Sequence, residues 1–95
     1  MEATTDTPKG ENYIKLRAIN PDRNVDRVYE ILFQRGLFNS YLVIIGYGRY
    51  GKNGRTKTYV FGDEPQAKKF ITKTLKKRLN AQARIGCNYF YADSL

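Results

Sequence analysis

Residues 41–61 have the sequence YLVIIGYGRYGKNGRTKTYVF, and this stretch decides the fold class. The apolar run 41–45 leads into a glycine-rich segment, Asn53 and Gly54 follow, and a β-branched and aromatic run, 56–61, completes it. Asn-Gly between two such runs is the strongest short signal for a β-hairpin. The stretch therefore predicts two antiparallel strands joined by a glycine-rich turn.

Residues 46–51, GYGRYG, also match the G-x-G-x-x-G pattern of a dinucleotide-binding turn. That turn requires a helix directly after the glycines, because the N–H groups of the helix N-terminus hold the pyrophosphate. A strand pattern follows here instead. A kinase-type glycine loop does lie on a hairpin, but it requires a large catalytic domain behind it. We therefore expect no nucleotide cofactor, and we interpret the glycines as tight backbone positions of the hairpin.

The sequence before the hairpin extends it into a sheet. Residues 13–18 alternate between polar and apolar side chains, and residues 27–33 form a second β-type run. Residues 19–24 are rich in turn formers, and a glycine-containing loop is expected at 35–39. Short links of this kind favour antiparallel pairing in a meander. Residues 86–91 could form a short last strand.

A helix is predicted near residues 64–80. Asp63-Glu64-Pro65 combines a candidate N-cap, an acid in the first turn and an early proline. Apolar or small side chains then recur on one face, at Ala67, Phe70, Ile71, Thr74, Leu75 and Leu79. We expect Phe70, Ile71, Leu75 and Leu79 to be buried against the sheet. The predicted fold is α+β: a flexible tail over residues 1–12, then one domain, 13–91, with an antiparallel sheet of four or more strands packed against one long helix.

The net charge of +8 is concentrated in one part of the chain. Residues 1–45 carry six basic and six acidic side chains, and residues 80–95 carry one of each. Residues 46–79 carry ten basic side chains against Asp63 and Glu64, so the entire excess lies there. A contiguous basic region of this kind favours a polyanionic partner. A solvated helix face that only keeps the protein soluble is the alternative for the lysines.

Composition argues against several other classes of function. The chain has no histidine and one cysteine, Cys87, which argues against a transition-metal site and against the usual nucleophile and acid–base pairings. We therefore expect neither an enzyme nor a metal or cofactor. A lone cysteine suits a reducing compartment, so we expect the cytoplasm. No apolar run reaches the length of a membrane span, and a membrane-surface helix is the least favoured interpretation of the lysines.

Several motifs together resemble the WGR domain, which is named for Trp-Gly-Arg and occurs in DNA-dependent poly(ADP-ribose) polymerases and in short stand-alone bacterial proteins. The resemblance covers about residues 14–91. Residues 47–51 with Gly54, YGRYG followed by G, resemble the name motif W-G-R-x-G-x-x-G. The other positions that fit the family are Pro21, Asn24, Arg27, Tyr29, Phe38, Tyr41, Val43, Phe61, Ala67, Phe70, Gly86 and Tyr89. Of these, Phe38, Tyr41 and Val43 fit the family's strand that leads into the name motif.

The resemblance implies an antiparallel sheet packed on one helix, and nucleic-acid binding. In the polymerases the motif's Trp packs against the DNA backbone near a strand end, and its Arg bridges DNA and neighbouring domains. The resemblance assigns these roles to Tyr47 and Arg49. Tyr47 departs from the family, because a tyrosine stands where the motif has tryptophan. The catalytic domain of the polymerases is not matched, so no ADP-ribosyl transfer is expected.

The leading hypothesis is a non-catalytic DNA-binding module that recognises DNA ends or breaks. Its expected contacts lie on the glycine hairpin and the basic helix, at Tyr47, Arg49, Lys52, Arg55, Lys57, Lys69, Lys73 and Lys76. The hairpin is expected to present Tyr47, Arg49, Lys52 and Arg55 to solvent. Ordinary sheet packing is the alternative for Tyr47. The alternative function is a protein-interaction adaptor whose basic face docks an acidic partner.

Overall fold

The computed structural model describes residues 12–81 and 86–92. Strand β1 is Tyr13–Asn20, and a single 3-10 turn, Pro21–Arg23, leads into β2, Val25–Arg35. Strands β3, Tyr41–Arg49, and β4, Arg55–Phe61, flank the glycine turn, and helix α1 is Glu64–Leu79. A two-residue strand β5, Phe90–Tyr91, follows. The α+β fold class predicted from the sequence is confirmed.

The strands form one antiparallel sheet in the order β4-β3-β2-β1-β5. Side chains alternate between its two faces, and one face carries the buried residues Leu16, Ala18, Tyr29, Ile31, Val43 and Ile45. Helix α1 packs on this face, which we call the helix side, and its Ala67 is fully buried there. The opposite face, which we call the open face, carries no helix among the described residues.

Helix α1 begins as the sequence predicts, because the Asp63 carboxylate accepts a hydrogen bond from the Gln66 N–H at 2.9 Å. Its predicted contact side chains, Phe70, Ile71, Leu75 and Leu79, do pack against the core, but they are half-buried rather than buried. Phe70 lies 4.7 Å from Tyr59 and 5.4 Å from Phe61 between ring centroids. These side chains are only half-buried because one 16-residue helix covers a five-stranded sheet only in part.

The glycine segment differs from the sequence-based expectation. Gly46 and Gly48 lie within β3, and the turn is confined to the residues after Arg49. Gly48 and Gly54 lie where the backbones on the two sides of the turn come closest. Glycine is needed there, because a Cβ on Gly48 would lie 2.8 Å from the Gly54 Cα. Gly51 takes the left-handed conformation of the turn, with φ of 82°. Tyr47 and Arg49 therefore stand on a strand and not on the turn.

Two further expectations concern the ends of elements. The flexible tail expected over residues 1–12 lies, apart from Asn12, outside the described residues. The Asn12 carbonyl accepts a hydrogen bond from the Phe33 N–H at 2.8 Å. Phe38, which the family resemblance placed in a strand, lies in the β2–β3 loop and is 96% exposed.

Candidate nucleic-acid interface

The register of the sheet sets aromatic and basic side chains side by side on the helix side. Tyr47 of β3 is opposite Tyr29 of β2 and opposite Arg55 of β4. The next pair along is Arg49 opposite Arg27. Like charges directly opposite each other on antiparallel strands destabilise a sheet. A pair of arginines at this position is therefore a cost to the fold that a bound anion would relieve.

Helix α1 brings a third arginine to this place. The guanidinium carbon of Arg78, in the last turn of the helix, lies 4.2 Å from the centroid of the Tyr29 ring. This is a cation–π arrangement that fixes the guanidinium over the sheet. Burial raises the pKa of the Tyr29 hydroxyl, and the Arg78 charge opposes that rise. The Tyr29 hydroxyl therefore remains a neutral donor beside the three arginines at neutral pH.

These residues line a cavity of about 240 Å³, which we call the tyrosine–arginine cavity. Its lining is Arg27, Tyr29, Tyr47, Gly48, Arg49, Arg78 and Tyr89, and none of these described residues is acidic. The Nε atom of Arg78 is buried and has no hydrogen-bond partner within the described part of the chain. A buried donor without a partner requires an explanation, and an oxyanion in the cavity would supply the missing acceptor.

Arg49 is held in position by the turn between β1 and β2. Its guanidinium donates to the Asn24 carbonyl at 3.1 Å and to Asn24 Oδ1 at 3.0 Å. Asn24 has left-handed backbone angles, φ 56° and ψ 40°, a conformation that asparagine tolerates better than most residues. The remaining N–H groups of Arg49 are thereby oriented without a carboxylate, so the positive charge stays available to a ligand.

Tyr47 is half-buried and packs against the core, with its ring centroid 6.5 Å from that of Tyr29. The expectation that the hairpin presents Tyr47 to solvent is therefore met only in part. Its ring borders the tyrosine–arginine cavity, whereas Arg49 and Arg55 are exposed. The tyrosine can offer a ring to a sugar or a base at the cavity mouth, but it cannot project freely.

The structure brings some of the other predicted residues together and separates the rest. Arg55 and Lys57 lie on the helix side of β4, opposite Tyr47 and Ile45. Lys73 follows Phe70 by three positions, so it lies on the flank of α1 that faces β4. Lys69 and Lys76 lie on the outward side of the helix, about 180–200° around its axis from Ala67. Lys52 borders a different cavity, beside the glycine turn.

A comparison with protein families matches residues 13–85 to the WGR domain. The chain belongs to the WGR domain family. This confirms the family that the sequence motifs indicated. WGR domains in general are nucleic-acid-binding modules without catalytic activity. No significant match to a curated protein was found.

The WGR domain contains cavity residues that were not among the predicted contacts, namely Arg27, Tyr29, Arg78 and Tyr89. A signal for two of them exists in the sequence. Arg27 alternates with Tyr29 and Ile31, so it occupies an inward position of a half-buried strand. Arg78 follows Ala67 by eleven residues and so shares its inward helix face. A basic side chain at an apolar position of the pattern indicates a buried or ligand-binding charge.

The described residues contain neither a group of metal ligands nor a membrane-spanning helix. Within residues 12–81 and 86–92 no cluster of three or more side chains could ligate a metal ion. No helix in the same part of the chain is both long and apolar enough to cross a membrane.

Proposed function

We propose that this WGR domain is a non-catalytic DNA-binding module that holds the sugar–phosphate backbone in the tyrosine–arginine cavity. The observation that carries the proposal is the convergence of Arg27, Arg49 and Arg78 in a cavity with no acidic lining, where Arg78 Nε is buried without a partner. The planar fork of a guanidinium matches two oxygens of a phosphate and binds them with charge-assisted hydrogen bonds. Tyr29, Tyr47 and Tyr89 supply apolar walls for the sugar.

The basic surface continues outward from the cavity along β4. Arg55 and Lys57 lie on the same sheet face, and Lys73 is on the adjacent flank of the helix. A backbone leaving the cavity can therefore meet further positive charges in one direction. Lys69 and Lys76 are directed away from this path and contribute only to the general field around the domain.

The setting of Tyr47 supports a preference for DNA ends or breaks. Its ring is held against Tyr29 at the cavity rim, so it cannot reach between the stacked base pairs of a continuous duplex. A terminal sugar and base are free to approach such a fixed ring. We propose that ends and nicks bind more tightly than continuous duplex for this reason.

A titration of fluorescently labelled duplex DNA at several salt concentrations tests this proposal. If about 3–5 phosphates are neutralised, the logarithm of affinity falls against the logarithm of salt concentration with a slope of about −3 to −4.5. Nicked and blunt-ended DNA should compete more strongly than a closed circle of the same sequence. Two results would instead favour an adaptor for an acidic protein partner. One is that the domain does not bind duplex DNA at low salt, and the other is that it binds heparin and an acidic protein as tightly as duplex DNA.

A further inference from the structure

The open face of the sheet has a groove where β3 carries no side chains. Gly46 and Gly48 alternate with Ile45 and Tyr47, so their Cα hydrogens point to the open face. The groove above them has a volume of about 300 Å³, at the lower end of the range of small-molecule sites. Its glycine floor faces away from the tyrosine–arginine cavity across β3, although the two linings share Tyr47, Gly48 and Arg49.

Gly46 is not required by the fold. Its backbone is not in the left-handed region, and a Cβ placed on it would meet only ordinary contacts, the nearest being Glu30 Oε1 at 3.4 Å. Gly48 differs, since its Cβ would collide with the Gly54 backbone. Glycine inside a strand lowers stability relative to alanine, and it commonly marks a place where a ligand approaches the backbone closely. Gly46 therefore keeps the groove open at a cost to the sheet.

An aromatic ring is locked at one end of the groove. The Tyr50 ring is 48% exposed, and the guanidinium carbon of Arg17 lies 3.6 Å from its centroid. Arg17 is in turn held by two hydrogen bonds to the Asp26 carboxylate, at 3.1 and 3.2 Å. The Tyr50 N–H also donates to the Asp26 carbonyl at 2.9 Å. An exposed ring fixed in this way is prepared to stack with a planar group without a further loss of side-chain freedom.

The groove is lined by one carboxylate, Glu30, and by four basic residues, Lys15, Arg49, Lys52 and Arg55. Glu30 Oε2 accepts a hydrogen bond from the Tyr13 hydroxyl at 2.7 Å, which fixes the carboxylate and leaves Oε1 beside Gly46. The combination fits a flat ring that bears N–H donors and is attached to an anion. A nucleobase with an amino group, linked to phosphate, has this chemistry, and carboxylates accept from the amino groups of bases.

We infer that this groove binds one unpaired nucleotide, with the base over Gly46 and beside Tyr50, an N–H of the base on Glu30, and the phosphate on Lys15 or Lys52. Guanine, adenine and cytosine each offer an amino group to the carboxylate. Thymine offers only a ring N–H between two carbonyl oxygens, which the carboxylate repels. The use of the groove on a nucleic-acid strand rests on the proposed function, while binding of a nucleotide as such does not.

The test is a titration of the ¹⁵N-labelled full-length chain with dGMP, dTMP and a short single strand that ends in guanine. Binding should shift the amide signals of Gly46, Gly48, Tyr50 and Thr56, with dGMP bound about tenfold more tightly than dTMP. Shifts with the strand but not with dGMP would support the inference and assign the groove to strand ends. Shifts with dGMP alone would support it and assign the groove to free nucleotides.

Two variants make the test specific. Gly46→Val fills the groove with a side chain that suits a strand, so it should keep the fold, weaken nucleotide binding about tenfold or more, and leave salt-dependent duplex binding unchanged. Arg27→Gln should do the reverse, because Arg27 lines the tyrosine–arginine cavity and not the groove. Unchanged binding of dGMP and of the strand in folded Gly46→Val, equal binding of dGMP and dTMP, or no shifts with any of the three probes would overturn the inference. If the wild-type chain did not bind duplex DNA, that result would instead count against the proposed function.

Discussion

Arg49 and Asn24 are 25 positions apart, yet two hydrogen bonds, of 3.1 and 3.0 Å, join the guanidinium to the asparagine carbonyl and side-chain oxygen. The contact ties the end of β3 to the turn between β1 and β2. It fixes the guanidinium of Arg49, which lines the tyrosine–arginine cavity, without neutralising its charge. The geometry of the proposed phosphate site therefore depends on a turn distant in sequence.

This relationship predicts a specific effect of Asn24→Gly. Glycine keeps the left-handed backbone and the carbonyl contact but removes the carboxamide with its Oδ1. Stability should therefore change little, while one hydrogen bond to Arg49, worth about 0.5–1.5 kcal/mol, is lost. Duplex affinity should fall by about two- to tenfold. The salt dependence should stay the same, since no charge is removed. A changed slope of affinity against salt would show that Asn24 acts in another way.

Tyr47→Ala should lower affinity for nicked or blunt-ended DNA more than for a closed circle of the same sequence. Stacking of an aromatic ring on a base is worth about 1–3 kcal/mol, and a closed circle has no terminal base to offer. Tyr47→Trp should preserve or strengthen end binding, because the indole offers a larger ring at the same rim. Tyr47 also packs on the core, so each variant requires a thermal melt. End binding that survives in a folded Tyr47→Ala variant would exclude this role.

Phe70→Ala should destabilise the domain by about 2–3 kcal/mol. A fully buried phenylalanine costs about 3–5 kcal/mol on truncation, and Phe70 is half-buried between Tyr59 and Phe61. Urea unfolding followed by circular dichroism measures the change. Val60→Ala on the open face, where the side chain is 65% exposed, provides the control and should cost less. Equal losses in the two variants would contradict the packing of the helix on β4.

Stability should fall at high pH, in part through Tyr13. Burial, followed by the hydrogen bond to Glu30, raises the pKa of the Tyr13 hydroxyl above its ordinary value of about 10. The folded chain therefore keeps a proton that the unfolded chain releases, so this contribution is complete below about pH 10 and is lost as pH rises further. Tyr13→Phe should flatten the decline in the free energy of unfolding above pH 10. Tyr91→Phe, at an exposed position, should not, and identical profiles would refute the assignment.

Local sequence patterns were sufficient to predict the strands and the helix. Alternation in residues 13–18, Asn53-Gly54 between β-type runs and Asp63-Glu64-Pro65 each depend on a few neighbouring residues. The glycines were harder to place, because strand and turn positions of glycine look alike in sequence. The pairing of β3 with β2, which continues to Arg49 opposite Arg27, shows that the strand runs through the motif.

The candidate site depends on contacts that no local pattern contains. Arg27 meets Arg49 because of the register between β2 and β3, and Arg78 reaches Tyr29 because of the direction in which α1 crosses the sheet. The concentration of charge in residues 46–79 includes Arg78. It gave no reason to choose Arg78 over Lys69 or Lys76, which differ from it in their direction around the helix.

We propose that an anion, and specifically a nucleic-acid phosphate, occupies the tyrosine–arginine cavity. The most direct measurement compares Arg27→Gln with Arg35→Gln, which removes the same charge eight positions along the same strand and sheet face. Because Arg27 is opposite Arg49, Arg27→Gln should leave stability unchanged or raise it by about 0.2–1 kcal/mol. It should also weaken duplex binding about tenfold and reduce the magnitude of the salt slope by about 1, while Arg35→Gln changes neither appreciably. Equal losses of duplex affinity in the two variants would contradict the claim.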